Sequence, residues 1–172
     1  IVGRQTLDFM RANNVGTDYC PMRPDMKSAV SLAYLDDNGD ASYVFYKQKP
    51  EAPKEWTLPQ IDADDVLLYG SYFASCQGMR PLVEDMLSHA TAGGAIIYYD
   101  INFRSSHSHE LEALLPTIED NCRRSSIVRG SADDFEVLFG ERDAATIYER
   151  HIRRLCPVFI CTSGAGAVTV CL

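Results

Sequence analysis

No apolar run in these 172 residues approaches the roughly 20 residues that a bilayer-spanning helix needs, so a soluble protein is expected. None of the six cysteines (Cys20, Cys76, Cys122, Cys156, Cys161 and Cys171) forms a C-x-x-C pair, and no Cys/His cluster has zinc spacing. Cys161 and Cys171 lie in apolar, strand-like runs where cysteine acts as a small hydrophobe. Reduced, buried thiols in a cytoplasmic protein are therefore expected, not a disulfide framework. Basic residues are scarce: 16 Lys and Arg stand against 24 Asp and Glu, for a net charge of −8. That balance argues against nucleic acid or an anionic membrane surface as a partner, while still allowing a local cationic pocket for a small anion. There is no Walker loop, because no glycine-rich stretch carries G-K-[ST], and no dinucleotide-binding glycine fingerprint. There is also no internal repeat, low-complexity segment, starting methionine or signal peptide. The last residues, "VFICTSGAGAVTVCL", read as a β-hairpin cut midway, and the chain is expected to be an internal fragment of a longer protein.

What is present is ordinary globular material, 46% hydrophobic and 23% charged. Residues 4–13 fit a short amphipathic helix with Leu7, Met10 and Phe9 inward, and "NVGTDY" reads as a turn into a strand. Strands at 29–36 and 41–47 flank "DNGD", whose Asn38-Gly39 is a strong hairpin signal. Residues 49–61 hold three prolines and read as a loop or extended crossing.

From residue 65 strands and helices alternate. Strands are expected at 65–71, 95–100, 126–130 and 157–162, with another beginning in "AVTVCL". Helices are expected at 79–94, with Gly93 as its cap, and at 109–124, bent or interrupted at Pro116. Two more are expected at 132–140, capped by Ser131 and stopped by Gly140, and at 144–155. Such alternation implies βαβ units and a parallel sheet covered on both faces.

Three polar groupings follow strands of this part. In "IIYYDINFR" the spacing places Asp100, Asn102 and Arg104 on one side of an extended chain. "VRGSADDFE" holds Arg129, Ser131, Asp133 and Asp134 at a strand-to-helix turn, and "CTSGAG" offers Thr162 and small residues. Singly, each has an ordinary structural explanation: an Asx turn, a capped helix start, a hairpin turn. Together they share the carboxyl edge of one inferred sheet, where open α/β sheets bind ligands. A guanidinium, hydroxyls, helix N-terminal amides and carboxylates are the groups that hold a nucleoside triphosphate and its Mg²⁺.

The series D-x-N-x-R, then R-x-S-x-x-D-x-x-x-L-x-G, then a strand ending in T-x-G resembles the ribokinase-like family of carbohydrate kinases, with fructokinases the nearest in feel. The resemblance implies a three-layer α/β/α sandwich with a mostly parallel sheet and a small β lid. The lid would take residues 14–60, and residues 1–13 and 61–172 a partial kinase core. It implies ATP and Mg²⁺ as cofactors and a sugar as substrate. The 29–47 hairpin carries apolar or aromatic residues on both faces, which predicts a homodimer with lid packed on lid, as the resemblance also allows. Asp100, Asn102 and Arg104 would border the phosphoryl-transfer cleft. Ser131, Thr162, Gly164 and Gly166 would belong to the nucleotide site, and Asp134 would organise the metal through water. Lys47 matches a substrate-contacting position on the lid. Gly166 stands one place before the family's second glycine, which would fall at Ala167. The family's general-base aspartate, in a later G-A-G-D motif, matches nothing in this chain, nor does its N-terminal sugar-binding stretch. These residues alone are therefore expected to be inactive. A kinase for a sugar acid or nucleoside, or a non-catalytic binding relative, would carry the same features.

Overall fold

A computed structural model describes residues 1–36 and 41–172, in two compact units. The expected Asn38-Gly39 turn lies outside the described residues. One unit comprises residues 1–49 and 57–59. It opens with α1 (Val2–Ala12), on which Leu7 and Met10 are half-buried while Phe9, expected inward, is exposed. No strand follows the "NVGTDY" turn before β1 (Val30–Leu35), which pairs antiparallel with β2 (Ala41–Tyr46). The register Val30↔Tyr46 and Leu32↔Val44 gathers these four side chains on one face. On the other face Tyr43 and Phe45 stack at 6.0 Å, and the Lys47 ammonium lies 5.1 Å from the Phe45 ring centroid. Apolar side chains of both faces are exposed.

The second unit comprises residues 50–56 and 60–172. Its strands are β3 (Val66–Gly70), β4 (Ile96–Asp100), β5 (Ile127–Ser131), β6 (Val158–Thr162) and β7 (Thr169–Cys171). They pair in sequence order, parallel from β3 to β6, with β7 antiparallel on β6. Between them run α2 (Ser71–Ser75), α3 (Arg80–Gly93), α4 (Leu111–Arg123), α5 (Ala132–Phe139) and α6 (Ala144–Ile147). The short α2 and the 3-10 turn at Gln77–Met79 fall between the expected strand and helix.

Successive crossovers of one hand in one direction carry all these helices to the same side of the sheet. There Tyr69, Ile97, Tyr99, Val128 and Phe159 share one buried core with Val83, Leu87, Ile118, Phe135 and Ile152 from the helical layer. The spacing of Val83, Leu87 and Ala90 on α3, and of Leu114, Ile118 and Cys122 on α4, is the helical repeat that buries one stripe. Tyr69 stacks on Tyr99 at 5.0 Å, and Phe135 meets Phe159 edge-on at 5.1 Å. Fully buried Asn121 accepts from Arg80 through Oδ1 (2.8 Å) and donates to the Ala74 carbonyl (3.0 Å), so its polar atoms are satisfied. Cys76, Cys122, Cys156 and Cys161 are buried, and loss of hydration pushes the last three thiols up. Among the described residues no helix is long and apolar enough to cross a membrane.

On the face away from these helices Val66, Leu68 and Ile96 are exposed. Three expectations are corrected in detail. At the end of α3 the left-handed residue is Gly94 (φ 75°), not Gly93. Gly93 is required instead because a Cβ there would sit 2.0 Å from the Ile61 carbonyl oxygen. α4 begins at Leu111, after a 3-10 turn at Ser105–Glu110, and runs through Pro116 without a break. Pro116 and Glu112, whose carbonyl loses its partner, are both exposed, so water can serve it. The helix expected at 144–155 is α6 followed by a π-helical turn, Tyr148–Ile152, whose wider spacing lets Ile147, Tyr148 and Ile152 all bury.

Phe159 joins the sheet to α5 at the centre of this core. Phe159→Ala is expected to lower unfolding free energy by about 3–5 kcal/mol, read as the midpoint shift in urea unfolding of the chain.

Candidate functional site

At the carboxyl edge of the parallel strands the backbone is unusually tight. Gly70 ends β3 beside Asp100, and a Cβ on it would fall 1.8 Å from the Asp100 carbonyl oxygen. The chain then leaves both strands through left-handed residues, Ser71 (φ 59°) and Asn102 (φ 38°). Asparagine tolerates this region better than most side chains; serine there is a strained choice of the kind that clusters at functional sites. β4 therefore stops at Asp100, and Asp100, Asn102 and Arg104 do not continue one extended strand as their spacing suggested. Ile101 and Phe103 are buried between them, while Asn102 is half-buried and Arg104 exposed.

The centre of the edge is Arg129, which the sequence grouping contained without giving it a part. Its Nη1 donates to both Asp100 carboxylate oxygens (3.0 and 3.1 Å), and its Nη2 donates to Thr162 Oγ1 (3.1 Å). One guanidinium thus ties β4, β5 and β6 together. The pairing is built into the register, because Asp100 is opposite Arg129 and Ser131 is opposite Thr162. Both charged side chains remain about one-third exposed, so the pair meets solvent.

Next to this tie, Ser131 caps α5 in a reciprocal box. The Asp134 amide donates to Ser131 Oγ (3.1 Å), and the Ser131 amide and hydroxyl donate to Asp134 Oδ2 (2.7 and 2.8 Å). Gly130 is needed just before it, as a Cβ would press on the Phe135 ring at 2.7 Å. Beyond β6 the turn carries Gly164 at φ 50°, and the Gly166 amide donates to the Ser163 carbonyl (2.7 Å). Both glycines therefore have a backbone reason, a positive φ in one case and crowding by the Ser163 oxygen in the other. Lys47 belongs to the other unit and is described with it above. Among the described residues no group of three or more His, Cys, Asp or Glu side chains could hold a metal.

Sequence reasoning missed a clasp behind the Arg104 segment. The Tyr72 ring stacks on His107 at 3.9 Å, and the Tyr72 hydroxyl donates to the Glu110 carboxylate (3.1 Å). His107 Nδ1 lies 3.3 Å from the same carboxylate, and its backbone amide donates to the Arg104 carbonyl (2.9 Å). Only the i, i+3 spacing of His107 and Glu110 was legible; Tyr72 arrives from a different strand end. Desolvation, with the Glu110 hydrogen bond and charge, pushes the Tyr72 hydroxyl up to about 12. Desolvation of Glu110 works against ionisation, but the hydrogen bonds from His107 and Tyr72 and the charges of His109 and His107 together outweigh it and hold its carboxyl below the usual range.

The chain matches no protein-family model and no curated protein. Its backbone does match solved structures. Against the fructokinase of Vibrio cholerae the TM-score is 0.76 at 20% identity, over 98% of this chain and 58% of that one. The aminoimidazole riboside kinase of Salmonella enterica gives 0.76 at 21% identity, over 98% and 55%. The fructokinase of Halothermothrix orenii gives 0.74 at 16%, over 98% and 60%. The chain has the ribokinase-like α/β fold. Its mostly parallel sheet and flanking helices follow that fold throughout, and it spans 55–60% of the length of these neighbours. The carboxyl edge described above is the ligand-binding edge of open α/β sheets generally.

Because the folded Glu110 carboxyl titrates below its unfolded value, its ionisation stabilises the fold above the ordinary glutamate range, and this is lost as pH falls through the folded value. Tyr72→Phe keeps the stack and removes the hydroxyl, so the Glu110 midpoint should rise toward an ordinary glutamate. Carboxyl-detected NMR titration measures it, and an unmoved midpoint would show that the hydroxyl does not hold the carboxylate.

Proposed function

We propose that these residues form the middle part of an ATP-dependent carbohydrate kinase, whose whole chain transfers the γ-phosphoryl group of ATP to a sugar hydroxyl, with fructose the first choice. The observation that carries this reading is the Asp100–Arg129–Thr162 tie at the carboxyl edge of a ribokinase-like sheet. It is supported by the neighbours: the Vibrio cholerae fructokinase was solved with fructose, ADP and calcium, and the Salmonella enterica kinase with aminoimidazole riboside and an ATP analogue. The latter makes a nucleoside the second candidate substrate.

In this reading Thr162, Gly164 and Gly166 shape the nucleotide turn, with Ser131 beside them. Asn102 and Arg104 face the transferred phosphoryl group, and Arg129 holds Asp100 at the same edge. The Asp134 carboxylate is committed to Ser131 through one oxygen, which suits contact with Mg²⁺ through water and not direct coordination. When bound with the nucleotide, Mg²⁺ would neutralise phosphate charge. The general base lies outside these residues, as does most of the sugar site. Residues 14–60 form the lid, residues 1–13 and 61–172 the core, and Lys47 lies on the lid's substrate side. The whole protein is cytoplasmic and dimeric, with lid packed on lid. The hairpin supports the dimer because it carries exposed apolar side chains on both faces, and a lone two-stranded hairpin cannot bury two faces.

In the whole enzyme, Arg104→Ala is expected to lower kcat more than it raises the KM for sugar. The loss in the transition state should be about 2–4 kcal/mol. Near-normal kcat with weakened sugar binding would make Arg104 a substrate residue. Val44→Asp should convert the native dimer to monomer in sedimentation velocity; an unchanged dimer, or a monomeric native protein at micromolar concentration, would remove the lid interface.

A further inference from the structure

The two sides of Arg104 differ in what anchors them. Before it, Ile101 and Phe103 are buried in the core. After it, the chain enters the 3-10 turn Ser105–Glu110, none of whose residues is buried. A 3-10 turn has poor hydrogen-bond geometry and holds itself weakly. The clasp grips this turn at His107, whose side chain is only 13% exposed although Ser106 and Ser108 beside it are exposed. The Tyr72 ring stacks on the imidazole, the Glu110 carboxylate lies 3.3 Å from Nδ1, and the His107 amide donates to the Arg104 carbonyl. Tyr72 reaches this point because Ser71, left-handed at φ 59°, turns the chain sharply where β3 ends. Strain of that kind persists only where the surrounding contacts hold it. The clasp is surplus to seating α2, since Ala74 and Ser75 are buried and the Asn121 amide donates to the Ala74 carbonyl (3.0 Å). What it adds is a hold on the turn that follows Arg104.

We propose that Tyr72, His107 and Glu110 are positioning residues for Arg104: the stack and the shared carboxylate fix the 3-10 turn, and the turn fixes the backbone from which the Arg104 guanidinium is presented. The proposal rests on the reading that Arg104 faces the transferred phosphoryl group. The three residues act through the backbone of residues 104–107 and need no contact with nucleotide or sugar. Charge stabilisation in a transition state depends on donors already in place, and a misplacement of about 1 Å can cost on the order of 100-fold in rate. Glu110 is the critical member, because one carboxylate serves both the Tyr72 hydroxyl and His107 Nδ1. Its removal breaks both polar contacts at once. Loss of the Tyr72 hydroxyl alone leaves the ring stack and the His107–Glu110 contact, and costs less.

A double-mutant cycle in the whole enzyme, paired with amide hydrogen exchange, tests this. Glu110→Ala should lower kcat about tenfold while the KM values for sugar and ATP stay within about twofold. Glu110→Gln, which keeps one acceptor oxygen, should recover most of that loss, and Tyr72→Phe should fall between Gln and Ala. In an Arg104→Ala background Glu110→Ala should cost less than about twofold, because the clasp acts through Arg104. Exchange of the His107 amide should rise about tenfold in Glu110→Ala, with β5 and α3 unchanged. The same tenfold loss of kcat with Arg104 already removed would overturn the proposal. So would an unmoved His107 amide, or exchange that rises throughout the protein together with a fall in unfolding midpoint, which would make the clasp ordinary packing. A wild-type protein without sugar-dependent turnover, in which the exchange rise is still confined to residues 101–110, would sink the kinase reading while supporting the clasp as the device that fixes this segment.

Discussion

Strand order in this sheet is sequence order, and that constraint governs nearly everything else. Four parallel strands laid side by side by crossovers of one hand must send every connecting helix to the same side. The helical side therefore buries Tyr99, Val128 and Phe159 completely. The same rule aligns all the strand carboxyl ends at one edge, where the connections to α2, the Arg104 segment, α5 and the β6–β7 turn leave the sheet. The gathering of polar groups at that edge is thus a consequence of winding, and they come from four separate stretches of sequence.

At the edge, close approach and charge act together. Gly70 lets β3 press against the Asp100 backbone, which brings the Asp100 side chain opposite Arg129. A guanidinium binding one carboxylate and one hydroxyl, at partial exposure, keeps its fork orientation fixed while remaining accessible to an anion. The Ser131–Asp134 box beside it aims the first turn of α5 at the same edge. On the far side, Tyr72, His107 and Glu110 pin the turn that follows Arg104, so the segment bearing Asn102 and Arg104 is anchored at both ends.

The ribokinase-like fold extends over nearly the whole of this chain. A complete structural match over 98% of this chain accounts for 55–60% of each neighbour.

The local features were legible because they depend on near neighbours in the chain. The Ser131 cap, the Gly140 stop, the α3 and α4 stripes and the β1–β2 strands all follow from period and capping chemistry within a few residues. The D-x-N-x-R, R-x-S-x-x-D and T-x-G stretches could be placed at strand ends for the same reason. Where the local signal was ambiguous it misled: Gly93 and Gly94 stand side by side, and only the approach of Ile61 decides which one caps. Extended spacing put Asp100, Asn102 and Arg104 together, but a left-handed Asn102 turns the chain. The partnership of Asp100, Arg129 and Thr162, and that of Tyr72 with Glu110, join residues about thirty to forty positions apart, and no single-chain periodicity encodes such pairs. By itself the sequence determined the main strands and helices of the sheet unit, the β1–β2 strands and which polar groups stand at strand ends. The tertiary structure decided which of those groups meet and which side of the sheet its connecting helices take, because register and crossover hand are properties of strands packed together.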